Sequence, residues 1–129
     1  MFIKLLHLSI TILFIAFAVV QYNDPDGWRW VLLYLAVAIL PIIRLRKVSA
    51  KSITIGLSIA FLLALVYNAD QLTQWISAGR PAFIDYEPTT IREVEGIREY
   101  LGICIAAVTV WFYLLIELMF PLSKSKSKV

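Results

Sequence analysis

Sixty per cent of this 129-residue chain is hydrophobic, only 16% is charged, and its mean hydropathy is +0.80. A water-soluble domain of this length needs a polar shell that such a composition does not supply, so lipid must be the solvent for most of it. One cysteine, Cys104, leaves no intrachain disulfide to be made.

Four runs are apolar and long enough to read as membrane helices, at residues 2–20, 28–43, 53–67 and 100–120. Lys4 ahead of the first run and Ala16-Phe17-Ala18 within it resemble a signal peptide with its cleavage site. Val19, Val20 and the polar residues that follow give no natural mature start, and the run is read as a span. Its His7, Thr11, Phe14, Ala18 and Gln21 recur at helical spacing, a stripe that lipid does not reward and that is expected to face other helices.

The first polar interruption is Gln21-Tyr22-Asn23-Asp24-Pro25-Asp26-Gly27-Trp28-Arg29-Trp30. Asp24 to Gly27 has the residue order of a type I turn, and Asp26 is placed to cap the second helix. Turn chemistry does not require Gln21 or Asn23. Tyr22, Trp28 and Trp30 suit an interfacial aromatic belt.

The second helix is expected to end near Pro41, where a proline removes an N–H and crowds the preceding turn. Gly56, Ala60 and Ala64 put a small-residue ridge on the third helix, which would let a neighbouring backbone approach. Leu72, Trp75 and Ile76 suggest that this helix continues as an amphipathic end until Gly79 and Pro81 stop it. Thr90 and Glu93 form a capping-box pattern for the last helix. Along that helix Glu95, Glu99, Gly102, Ala106, Thr109, Tyr113 and Glu117 share one face, charged at one end, small in the middle, and closing on an acid.

Charge then orients the chain. Lys4, Arg44, Arg46, Lys47, Lys51, Lys124, Lys126 and Lys128 fall on one side of a four-span arrangement, against Arg29, Arg80, Arg92 and Arg98 on the other. Eight basic residues against four place both termini in the cytoplasm, because the side richer in Lys and Arg stays inside. The predicted fold is therefore an all-α integral membrane four-helix bundle of two antiparallel helical hairpins. Its transmembrane domain covers residues 1–121, with helices at about 2–21, 27–43, 52–77 and 90–120. A basic cytoplasmic tail at 122–129 carries a Ser-Lys repeat that reads as a topology and anionic-lipid signal. The basic pI needs no nucleic acid as a partner. The partners expected are the bilayer of the cytoplasmic membrane and either a membrane-protein partner or a second copy of the chain.

Gln21, Asn23, Asp24, Pro25 and Asp26 followed by Trp30 and Tyr34, together with Glu95, Arg98, Glu99 and Gly102, resemble the two signature blocks of the transmembrane protein 220 family. The resemblance implies a small multi-pass membrane protein and brings no biochemical activity with it.

Orientation puts the two blocks on one side of the membrane, where Gln21, Asn23, Asp24, Asp26, Glu95, Arg98 and Glu99 form the candidate binding cluster. Its donors are oxygens, so a metal held by Asp24, Asp26, Glu95 and Glu99 would be Ca²⁺ or Mg²⁺. Arg98, with Arg92 nearby, favours a salt-bridged cluster without metal, and no cofactor is expected. The reading favoured is a non-enzymatic scaffold or binding protein. An intramembrane enzyme working through the same carboxylates is the alternative, although no Ser-His or Cys-His pair and no glycine-rich phosphate loop is present. A proton or solute conduit using His7 and Glu117, which should lie at similar depth, is the other.

Overall fold

The computed structural model describes residues 1–122, so the Ser-Lys repeat expected in the tail at 122–129 lies outside the described residues. Among these the chain is all-helical: α1 (Phe2–Val20), a 3₁₀ turn (Gln21–Asn23), α2 (Gly27–Leu45), α3 (Lys51–Tyr67), α4 (Asp70–Ser77) and α5 (Ile91–Met119). Four stretches are long and apolar enough to cross a membrane: Phe2–Asn23, Gly27–Leu45, Lys51–Ser77 and Ile91–Met119. Even in the best-covered of them, α5, protein buries only 33% of the most apolar window, and in Lys51–Ser77 only 11%. Leu5, Leu8, Ile12 and Ile15 on α1 and Ile55, Ile59 and Leu62 on α3 are all exposed. Water would penalise such continuous apolar faces heavily, so lipid must cover them.

The chain divides into two compact units, one formed by Met1–Gly56 with the chain from Thr109 onward, the other by Leu57–Val108. In the first unit α1 and α2 pack as an antiparallel hairpin. Phe14 meets Tyr34 with ring centroids 6.1 Å apart, and one turn away Thr11 reaches the Ala38 carbonyl. His7, Thr11, Phe14 and Ala18 are the buried residues of α1, the stripe read from spacing alone. Phe17 and Trp30 close on Tyr34 from either side, at 5.5 and 6.2 Å, so Trp30 is half-buried in the hairpin while Trp28 lies outward under Arg29.

Helix α2 does not end near Pro41; it runs through that residue to Leu45. The proline costs the Val37 carbonyl its helical donor, yet the helix continues past it. The Thr11 hydroxyl stands 3.4 Å from the adjacent Ala38 carbonyl and 3.1 Å from the His7 carbonyl of its own helix. The true stop follows Arg46. Lys47 takes a left-handed φ of 56°, its N–H bonds to the Arg44 carbonyl, and the Val48 N–H reaches back to Ile43. These are the two bonds of a Schellman ending.

The ridge expected on α3 is not a packing face over its first two residues, and only Ala64 is half-buried. Gly56 and Ala60 are exposed, and a Cβ on Gly56 would meet nothing within 4 Å. The buried line is Thr54, Ser58 and Phe61. A uniformly apolar helix offers several faces of acceptable spacing, and small side chains are as compatible with lipid as with a neighbour.

In the second unit α3 is broken from α4 at Asn68, whose side-chain amide donates to the Ala64 carbonyl at 2.8 Å. That carbonyl already accepts the Asn68 backbone N–H, and the next N–H, of Ala69, shifts to Val66. Such local competition interrupts a helix. Gly79, with φ +88°, ends α4 in a second Schellman motif: its N–H goes to Ile76 and that of Arg80 to Trp75.

Candidate functional site

The polar residues divide into those at exposed helix ends and those buried among helices. At the head of the α1–α2 hairpin the Gly27 N–H donates to the Asp24 carbonyl at 3.0 Å and closes the turn. Asp26, with φ −108° and ψ 16°, sits at the N-cap of α2 without a side-chain capping bond. The Asp24 N–H returns to the Gln21 carbonyl at 3.2 Å. Gly27 is buried against that same carbonyl oxygen, where a Cβ would collide with it. Turn preference explains a glycine at this position; the close approach to Gln21 requires one. Asn23, Asp24 and Asp26 are exposed and Gln21 is half-buried.

The second block lies on the first turns of α5, in the other unit. Glu95, Arg98 and Glu99 are exposed, whereas Val94, Gly96 and Ile97 form the buried side. Gly96 stands under the side chain of Gln71 from α4. The capping box expected at Thr90 and Glu93 takes another form, because the Thr90 hydroxyl bonds to the Asp85 carboxylate at 3.2 Å. The Thr90 carbonyl still accepts the first helical N–H, from Val94. Among the described residues no group of three or more His, Cys, Asp or Glu side chains is gathered to hold a metal ion.

The part of the α5 stripe from Thr109 onward belongs to the first unit and is a built site. Tyr113 and Glu117, one helical turn apart, are 2% and 4% exposed. His7 Nδ1 and Tyr113 Oη are 2.5 Å apart, sharing one hydrogen whose owner depends on the His7 tautomer, and the two rings lie 5.4 Å apart. Glu117 accepts the Ala50 N–H at 3.1 Å through Oε1 and the Ser49 hydroxyl at 3.3 Å through Oε2. Ala50 immediately precedes α3, so this carboxylate caps a helix from outside and sits at the positive end of its dipole.

Arg44 completes the group from α2. Its Nη2 donates to the Phe120 carbonyl at 2.8 Å, which satisfies one of the free acceptors at the end of α5. Its buried Nη1 makes no hydrogen bond and faces Glu117 Oε1 at 3.8 Å, an ion pair held by charge rather than by a shared proton. His7 and Glu117 are thus both buried at the same end of α5, His7 against Tyr113 and Glu117 against Arg44 and the 49–50 loop.

Three of these partners carried no site signal in the sequence. Arg44 counted only toward topology, and Ser49 and Ala50 read as loop. Tyr113 did lie on the stripe one turn from Glu117, and an antiparallel α1 would bring His7 to its depth; that combination was the available clue.

Comparison with curated proteins and with solved structures returns no match. A family model described as "Transmembrane family 220, helix" matches residues 13–116, a stretch that includes both polar blocks and stops just short of Glu117. With most of its length matched, the chain belongs to transmembrane family 220 and is a multi-pass membrane protein.

Proposed function

We propose that the protein is a non-enzymatic scaffold or binding protein of the cytoplasmic membrane, with both termini inside the cell and an acidic polar surface outside. Gln21, Asn23, Asp24, Asp26, Glu95, Arg98 and Glu99 would compose that surface, and its ligand would be a membrane-protein partner or a second copy of the chain. The observation that carries the reading is the division of labour among polar groups. His7, Thr11, Tyr113 and Glu117 are buried and Arg44 is half-buried, and all are engaged with one another, with loop residues or with backbone. The acids of the two blocks are exposed. The engagement of Glu117 by a backbone N–H, a hydroxyl and a guanidinium supports a fastening role over a relay, since a relay acid must exchange its proton freely.

The test is photocrosslinking in expressing cells, with a photoreactive residue in place of Tyr22, which is 81% exposed beside the acids of the first block. Discrete protein adducts are expected, and they should disappear when Asp24→Asn, Asp26→Asn, Glu95→Gln and Glu99→Gln are combined. Adducts unchanged by that neutralisation, or adducts of lipid size alone, would contradict the proposal.

A further inference from the structure

Residues 70–86 carry a second set of apolar side chains left exposed by the described residues. Leu72 and Ile76 on α4 are 39% and 45% exposed; Phe83, Ile84 and Tyr86 in the following loop are 46%, 79% and 68% exposed. At about 100° per residue, Trp75, Leu72 and Ile76 occupy one arc of α4, and Asp70, Thr73, Gln74 and Ser77 the opposite one. The polar arc is internally bonded, Gln74 donating to Asp70 at 3.0 Å. The apolar arc is extended by the loop: the Trp75 indole N–H donates to the Pro81 carbonyl at 2.9 Å, and its ring stacks on Phe83 at 5.5 Å with 22° between the planes. The aromatic edge is therefore fixed in place.

What covers this edge follows from its tether. α3 ends at Tyr67 and α4 begins at Asp70. Three residue steps reach no farther than about 10 Å, so α4 starts within the headgroup layer that a spanning α3 enters. A short two-faced helix with Trp at the boundary and Leu and Ile beside it is the composition that partitions into this layer.

We infer that residues 70–86 form an interfacial anchor. Leu72, Trp75, Ile76 and Phe83 insert among the upper acyl chains of the leaflet in which α3 ends, while Asp70 and Gln74 face water. The occupant of the apolar face is the protein's own bilayer, and the anchor would hold the start of α5 at a set depth, because Gln71 lies against Gly96.

The experiment uses the full chain with Trp75 as its sole tryptophan, through Trp28→Phe, Trp30→Phe and Trp111→Phe, reconstituted in phosphatidylcholine vesicles with helicity checked by circular dichroism. Lipid brominated near the glycerol end of its chains should quench Trp75 at least about twofold more than lipid brominated near the chain ends, with little quenching by aqueous iodide. Adding Leu72→Ser and Ile76→Ser should about halve the lipid quenching at unchanged helicity. Strong iodide quenching without lipid quenching would place the segment in water. Insensitivity to both quenchers would place it under a second copy or another protein. Either result overturns the inference, as does lipid quenching that ignores the serine substitutions.

Discussion

Glu117→Ala is expected to lower the stability of the protein by about 3 kcal/mol, the usual cost of removing one partner from a buried ion pair. Two donors lose their acceptor and one cation its counter-charge. The Ala50 N–H at the start of α3 is left without a partner in a buried position, the Ser49 hydroxyl is released, and the Arg44 guanidinium keeps its charge with only the Phe120 carbonyl beside it. Glu117→Gln retains the shape and one acceptor oxygen, so it should cost less, about 1–2 kcal/mol, chiefly through the lost charge. Unfolding of the purified protein in mixed micelles by a denaturing detergent would measure both. Equal stability of Glu117→Ala and the parent would mean that the carboxylate holds nothing.

The second large effect separates two glycines that sequence alone treats alike. Gly27→Ala would drive a methyl group into the Gln21 carbonyl oxygen, a backbone atom fixed by its own bond to the Asp24 N–H. Relief requires the hairpin head to shift, at a cost of about 2–3 kcal/mol. At Gly96 the obstructing atom is the far end of the Gln71 side chain, which can rotate away. Gly96→Ala should therefore cost no more than about 0.5 kcal/mol, with the better helix propensity of alanine partly offsetting the displaced amide. The same micelle unfolding series applies, and a Gly96→Ala loss exceeding that of Gly27→Ala would refute the packing described for both.

The four apolar helices were legible in the sequence because length and hydropathy dominate when lipid is the solvent, and the family was legible through its two polar blocks. The buried face of α1 was legible too, since His7 and Thr11 stand out against an aliphatic background. Pro41 misled because its ring is read by a rule from water-soluble helices, whereas a membrane helix can continue past a proline. The Gly56 ridge misled for the opposite reason: on α3 nearly every face is apolar, and period cannot choose between the exposed Gly56 and Ala60 and the buried Thr54 and Ser58. The site around Glu117 was only half legible. Its acid and its histidine are visible as rare buried polar residues, but Arg44, Ser49 and Ala50 join them through the fold of the α2–α3 loop, which no local pattern encodes. The capping glutamate of α3 lies 67 positions away from the N–H it accepts.

The proposed orientation puts Glu117 and the 49–50 loop in the cytoplasm and the acidic blocks outside. Cysteine labelling in a Cys104→Ala background tests it most directly, with Val48→Cys and Thr89→Cys as single exposed reporters. In intact expressing cells a membrane-impermeant maleimide should label Thr89→Cys and leave Val48→Cys unlabelled until the membrane is opened. Labelling of Val48→Cys in intact cells, with Thr89→Cys protected, would contradict the account.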